Sequence, residues 1–328
     1  ARSREACAWL EKRVLQYQLG GRVRVSREGI NATISGSFQA CRDFSTSLSS
    51  FDERFKNADF KFIDDLAKDR MFKDCKVLPV KELVYYDIDI EAPLAEGGQH
   101  LAADAFHSKL KDSNSVIIDV RNAYETDIGR FEKQEGQGGA QLILPEMRKS
   151  TDFVPWIRSK ETQERLKGKD VLMYCTGGVR CERASALLKQ EMGSAIGGVF
   201  QLHGGIEKYL QIYPDGGFFR GKNFVFDKRE AIGAGCVNGV GGVLEKGQDG
   251  AKKKKKKMKK NGTNNHNQMG VDSDAEIMGA CCVCEAVWDR YIGKKKCDTC
   301  AVPVLMCQSC CTEMGAQKKS HGSQLQGR

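Results

Sequence analysis

The chain has 328 residues, room for two or three domains of ordinary size, with 40% hydrophobic and 29% charged residues. No run approaches the ~18 uninterrupted apolar residues that a membrane-spanning helix needs, which excludes an integral membrane protein of that kind. The 52 basic and 43 acidic residues give a net charge of +9, but eight of the lysines lie in residues 252–260, so the remainder is nearly neutral and any attraction for polyanions is concentrated in one tether.

The first residue is Ala1, and the chain opens directly on a helical pattern. This reads as an incomplete or processed N-terminus, and targeting signals cannot be judged from it. Over residues 4–19, Ala6, Leu10, Val14 and Tyr17 share one face, and Gly20 and Gly21 are expected to end the helix. The runs Arg22–Ser26 and Ala32–Ser35, joined by a tight connection, predict a hairpin. A second helix over Gln39–Leu48 would bury Cys41, Phe44 and Leu48, with extended segments at Asp59–Ile63 and Val77–Tyr86. The order α-β-β-α-β matches a ferredoxin/acylphosphatase-like β-α-β-β-α-β unit whose first strand is missing, and assigns residues 1–92 to an α+β domain of reduced stability.

From about residue 100 to 230 the pattern changes. Short unbroken apolar runs at Val116–Val120, Val171–Tyr174 and Val199–Leu202 alternate with helical segments around Ala103–Leu110, Phe153–Leu166, Cys181–Met192 and Ile206–Ile212. That alternation predicts an α/β domain, a parallel sheet with helices on both faces. At the end of the second run Cys175 opens a loop that feeds a helix N-terminus. Gly177 and Gly178 allow the loop to turn its N–H groups toward the sulfur, and Arg180 adds a positive charge. Such surroundings lower a thiol pKa from ~8.5 to ~3.5–7.5. The helix dipole alone contributes at most ~2 kcal/mol, so direct amide hydrogen bonds must supply the rest. A buried structural cysteine is the plain alternative. The glycines and the arginine five positions on argue against it.

The stretch Cys175, Thr176, Gly177, Gly178, Val179, Arg180, Cys181, Glu182 resembles the active-site loop of rhodanese-like domains. This version of the loop is similar to the subfamily of bacterial oxygen-dependent tRNA uridine hydroxylases, animal thiosulfate sulfurtransferase/rhodanese-like proteins and plant plastid rhodanese-like proteins. Residues 27–36, the segments 119–125 and 128–131, and the segments 202–209 and 224–229 agree with the same family, so the likeness covers nearly everything but the linker. The resemblance implies a nucleophilic Cys175 that carries a persulfide, amides of residues 176–180 around its outer sulfur, and Arg180 closing the ring. Related phosphatases place five residues between cysteine and arginine. The four here (Thr176 to Val179) argue against phosphatase chemistry. Cys181 reads equally as a resolving thiol or as a small residue packed at the helix start. Asp119 and Arg121, at the end of the first parallel strand, suggest an ion pair that fixes the neighbouring loop. Glu182 suits the first turn of a helix.

Residues 233–278, rich in Gly, Lys, Asn and Asp, have the composition of a disordered linker. Its lysine run is a solvated spacer, a nuclear-targeting segment or a phosphate-binding arm, and points only weakly to RNA. Eight of the fourteen cysteines then crowd residues 281–311. A secreted disulfide scaffold would be short and cysteine-dense throughout, so this distribution suggests a reducing intracellular compartment, cytosol or plastid, and one metal module over 279–314. Cys281 with Cys284, Cys297 with Cys300, and Cys307 with Cys310 form three C-x2-C knuckles suited to structural zinc. Six thiolates exceed one tetrahedral ion and fall short of two, with Cys282, Cys311 or His321 available as further ligands. Residues 315–328 read as a frayed tail. The leading functional expectation is a rhodanese-type sulfurtransferase that takes sulfur from thiosulfate or a protein persulfide. The alternatives are oxygen-dependent hydroxylation of a tRNA wobble uridine, although no haem, flavin or iron-facial-triad motif is visible, and a catalytically inactive binding module.

Overall fold

A computed structural model describes residues 2–56, 58–64, 68, 71–88, 97–132, 138–225, 231–233, 276–292 and 295–316. The lysine run, most of the predicted linker and His321 lie outside the described residues. Among the described residues no helix is long and apolar enough to cross a membrane.

Helix α1 (Arg2–Gln16) buries Ala6, Leu10 and Val14, while Tyr17 lies past its end and is only half-buried. The helix is closed by Gln18, which takes a left-handed φ of 52°. Gly20 and Gly21 instead begin strand β1 (Gly20–Val25). Strand β2 (Ile30–Ser35) pairs antiparallel with it in the predicted hairpin. Helix α2 (Phe38–Phe51) starts at Ser37, whose hydroxyl accepts from the Ala40 amide at 3.2 Å, an N-cap bond. It buries Phe44 and Leu48, and leaves Cys41 half-buried. Strand β3 (Cys75–Pro79) runs parallel to β1 and completes a three-stranded sheet in the order β2-β1-β3.

Two expectations fail in this domain. Asp59–Ile63 forms no strand, for nothing among the described residues pairs with it. The extended segment expected over 77–86 stops as a strand at Pro79, whose ring leaves no N–H to continue a ladder. Beyond it, Tyr86 is buried against the core of the next domain.

That domain holds β4 (Gln99–Leu101), α3 (Ala103–Lys109), β5 (Ser115–Asp119), α4 (Ala123–Thr126), β6 (Gly129–Phe131) and β7 (Gln141–Ile143). It continues with α5 (Phe153–Arg158), α6 (Lys160–Leu166), β8 (Asp170–Tyr174), α7 (Val179–Met192), β9 (Val199–Leu202), α8 (Gly205–Ile212), β10 (Phe219–Phe224) and β11 (Ala231–Gly233). Five strands form a parallel sheet in the order β4-β9-β8-β5-β7, and β6, β10 and β11 pair antiparallel beside it. Alternate residues of the central strands enter opposite cores. Val116, Ile118, Val171 and Met173 pack on one face, and Ile117, Leu172 and Tyr174 on the other. A strand buried on both faces shows no polar alternation, which is why these strands read as unbroken apolar runs. The single helix expected over 153–166 is broken at Ser159, which takes extended dihedrals and caps α6 by accepting from the Thr162 amide. The three-residue strands are too short to leave a periodic signal.

The C-terminal module has isolated bridges Ala280 with Val287 and Lys296 with Pro303, then helix α9 (Gln308–Ala316). Residues 315 and 316, expected to belong to a frayed tail, instead close this helix, and residues 317–328 lie outside the described residues.

Candidate active site

Cys175 follows the last residue of β8, in the middle of the parallel sheet. The carbonyls of Cys175 and Thr176 accept hydrogen bonds from the amides of Ile206 and Glu207, at 3.0 and 3.1 Å, in the first turn of α8. With its carbonyls committed there, the loop is free to turn amides toward the sulfur. Gly205 makes this contact possible. It has φ of +68°, and a Cβ on it would stand 2.5 Å from the Thr176 carbonyl oxygen. Gly178, at φ 93°, bends the chain into α7, and Val179 is the first helical residue.

The Cys175 side chain is 1% exposed. Its Sγ accepts from the Gly178 amide at 3.1 Å and from the amides of Arg180 and Cys181. Burial alone would raise its pKa. The Cys181 thiol as donor, the Arg180 charge and the two further amides outweigh burial and bring it down to about 5. A group two units below neutral pH is about 99% ionised there. Cys181 moves the opposite way: burial and the neighbouring thiolate push its pKa well above the ordinary thiol value. It is thus a neutral S–H donor to a thiolate.

Arg180 is held by a carboxylate to which the sequence reading gave no role. Its two terminal nitrogens bind both oxygens of Glu125, at 2.5 and 2.8 Å, and it donates to Thr176 Oγ1 at 3.0 Å. Glu125 is fully buried and belongs to the single turn α4, where it closes a capping box with Asn122. The Thr176 hydroxyl lies 3.3 Å from both Glu125 Oε1 and the Phe224 carbonyl. Tyr86 donates to the Arg180 carbonyl at 3.2 Å. Asp119 and Arg121 form the expected ion pair, wholly buried at 2.6 Å, and Arg121 also donates to the Gly129 carbonyl, which ties the segment after β5 to β6. Glu182 accepts from His100 and Gln201. Glu125 and Tyr86 carry no sequence signal for this site because nothing in their spacing joins them to Cys175. The fold alone does so.

Two flanks close on this loop. From the N-terminal domain, Lys61 donates to the Gly177 carbonyl at 3.0 Å. Glu28 and Glu82 both pair with Arg183 of α7. From the C-terminal module, the Tyr291 hydroxyl donates to the Tyr124 carbonyl, the peptide unit that leads into Glu125. Tyr291 and Leu305 pack with Ile128, Tyr124, Phe224 and Trp288, and Lys222 pairs with Asp289 at 3.1 Å in a buried position.

In that module the sulfurs of Cys281, Cys284, Cys307 and Cys310 lie within 4.8 Å of one another. A zinc tetrahedron with ~2.3 Å bonds has edges of about 3.8 Å, so the four thiols need to close only slightly to hold such an ion. The Ser309 hydroxyl and the Cys310 amide lower the Cys307 pKa to about 6, which favours the ligand form. Of the six thiols put forward as ligands, Cys297 and Cys300 are not in this cluster. They face each other in a separate knuckle. Cys282 is exposed and the Cys311 thiol turns to the Met306 carbonyl, so neither joins the four.

Residues 2–83 match the family profile described as UPF0176 acylphosphatase like domain, and residues 102–212 match that of the rhodanese-like domain. Rhodanese-like domain-containing protein 6 of Arabidopsis thaliana is 33% identical over 323 residues, which cover 93% of this chain and 48% of that protein. The tRNA uridine(34) hydroxylase of Acholeplasma laidlawii (strain PG-8A) is 40% identical over 214 residues, 65% of this chain and 62% of the relative. Its counterpart in Staphylococcus aureus (strain JH9) is 38% identical over 218 residues, 66% and 64% of the two chains. The chain thus spans between about half and just under two thirds of the length of these curated relatives.

Proposed function

We propose, on the premise that this chain is a rhodanese-like protein carrying a UPF0176 acylphosphatase-like domain, that it is an enzyme that hydroxylates a uridine of tRNA with Cys175 as its nucleophile. The names of two relatives supply the substrate, and the observation that carries the chemistry is the Cys175 thiolate among three amides, a thiol and a guanidinium. Sulfur transfer, the first choice from sequence, becomes the second reading.

A thiolate adds to C6 of a uracil ring and leaves C5 electron-rich. Dioxygen with a two-electron reductant supplies one oxygen atom to C5 and one to water. Loss of the C5 proton and expulsion of the thiolate then restore the ring and the free Cys175. In this scheme Arg180, fixed by Glu125, stabilises the thiolate as it leaves. The amides of Gly178, Arg180 and Cys181 and the Cys181 thiol share that task, the loop from Thr176 to Val179 shapes the cradle, and Asp119 and Arg121 hold its floor. Zinc in the four-thiol cluster is structural in this reading.

Nucleoside mass spectrometry of tRNA incubated with the protein, dioxygen and a reductant tests the proposal. Hydroxylated uridine should form with the native protein and not with Cys175→Ser, and no product from either sinks it. The persulfide reading is favoured by the cradle itself, whose inward amides suit a terminal sulfur anion. Cyanide-dependent thiocyanate formation from thiosulfate, abolished in Cys175→Ser, would establish that reading instead.

A further inference from the structure

The three-stranded sheet of the N-terminal domain has one face against its helices and, among the described residues, one face open. Val23 and Val25 of β1 pack with Leu10, Val14, Phe44 and Leu48 on the covered side, with Val77 of β3 beside them. Strand alternation therefore sends the intervening residues to the other side. Cross-strand register aligns Arg22 with Thr33 and Lys76, and Arg24 with Asn31 and Leu78. Arg22, Arg24, Lys76, Thr33 and Leu78 are all exposed, and Leu78 keeps 38% of its surface. An exposed acid, Asp74, just precedes β3. Among the described residues none of the three cations has a carboxylate partner.

An uncovered sheet face with three unneutralised cations, a hydroxyl and an apolar side chain is an unusual exterior for a part of the chain that is otherwise nearly neutral. Residues two apart on a strand are separated by about 6.8 Å, and neighbouring strands by about 4.8 Å, so the three charges are close enough to meet adjacent phosphates of one strand. The hairpin also points this face toward the chemistry. Beyond Arg24 and Val25 its tip carries Glu28, which is ion-paired with Arg183, one turn into the helix that begins at the Cys175 loop.

We infer that this open face binds the phosphate backbone of the RNA whose nucleotide enters the Cys175 site, an inference that rests on the tRNA reading above. Lysine and arginine here would neutralise phosphates without reading bases, and would set register and affinity. The face is polyanion-seeking, and folded RNA rather than an anionic membrane is the occupant because the stripe leads to a nucleophile suited to a pyrimidine.

The test compares the native chain with Arg22→Glu/Arg24→Glu/Lys76→Glu and with the milder Arg22→Gln/Arg24→Gln/Lys76→Gln. Binding of unmodified tRNA is followed by fluorescence anisotropy between 50 and 200 mM salt. The lysine run is common to all three proteins, so any difference belongs to the sheet. Loss of three phosphate contacts should flatten the slope of log K against log salt by about 2 to 3. A far-ultraviolet circular dichroism spectrum and a denaturant midpoint equal to the native ones certify the fold of the variants. Native binding with an unchanged slope in both variants overturns the inference and leaves the tRNA reading standing. Failure of the native protein to bind tRNA overturns both, whereas a loss of binding to phosphatidylserine vesicles with tRNA binding unchanged overturns the inference alone.

Discussion

The two flanks of the Cys175 loop hold it by different physics. The N-terminal flank works through charge: Arg183 of α7 lies between Glu28 and Glu82, and Lys61 reaches the Gly177 carbonyl. The C-terminal flank works through rings. Tyr291, Tyr124 and Phe224 meet edge to face at centroid distances of 5.3 to 6.2 Å, with Leu305 and Ile128 behind them. The difference matters because the flanks grip elements of unequal strength. Helix α7 has fourteen residues and its own packed face, whereas α4 is a single turn of four. One isolated turn has no stability of its own. The aromatic flank therefore decides where Glu125 stands, and through it Arg180, while the charged flank fixes the placing of one domain on another.

Breaking the aromatic flank at its base should have the largest effect. The module's small core is built from the cysteines themselves, with Met306 and Trp288, so a metal ion held by the four clustered thiols would supply most of what folds it. Cys281→Ser is expected to abolish bound metal and to open residues 276–316 to protease, with faster amide exchange at 122–126. Intact metal content, or native exchange in α4, would show that the turn stands without the module. Next in size is the Lys222–Asp289 pair, whose side chains are 8% and 3% exposed. Asp289→Ala strands a buried ammonium, and such losses cost about 3–5 kcal/mol, read from a denaturant midpoint. A change below about 1 kcal/mol would mean the pair is hydrated in solution.

The charged flank should yield less. Glu28→Gln removes one of two carboxylates on a guanidinium whose pKa burial lowers, and Glu82 remains. A charged hydrogen bond is worth about 1.5–3 kcal/mol, so the cost should fall in that range and shrink at high salt. A loss independent of salt would argue that packing, and not charge, holds α7 to the hairpin.

Legibility in the sequence divides along the same line. The Cys175 loop, the parallel strands β5, β8 and β9 and the hairpin were readable because each is a local pattern: a turn chemistry, an apolar run or an alternation. Glu125 was not, because its partner Arg180 is 55 residues away and a one-turn helix leaves no period. The strand expected at Asp59–Ile63 failed for a related reason, since a β-prone segment becomes a strand only where a neighbour offers a ladder. The cysteine spacing announced three knuckles, yet only the fold shows that the first and third converge while Cys297 and Cys300 stand apart.

The smallest expected effects sharpen the comparison within the loop itself. Cys175 should alkylate with a midpoint near pH 5. Because its folded pKa lies below the unfolded thiol value, the thiolate adds stability above that unfolded value, and this contribution fades as pH falls through about 5. Cys181→Ala withdraws a donor to that anion. At about 1.5–3 kcal/mol for a charged hydrogen bond, the midpoint should rise by about 1 to 2 units, and a fixed midpoint would assign the acidity to the amides and Arg180 alone.

Lys61→Ala probes the charged flank where it touches the loop. Its ammonium is partly exposed and already paired with Asp59 at 3.1 Å, so the bond to the Gly177 carbonyl is solvent-screened and worth less than about 1 kcal/mol. That carbonyl belongs to the trans peptide unit whose Gly178 N–H reaches the sulfur, and points the opposite way from that N–H. Stability should therefore fall slightly, and the Cys175 midpoint should stay within about 0.3 units, since 0.3 units is about 0.4 kcal/mol. A larger rise in that midpoint would mean that the N-terminal domain tunes the thiolate directly, and the division of labour between the flanks would then be wrong.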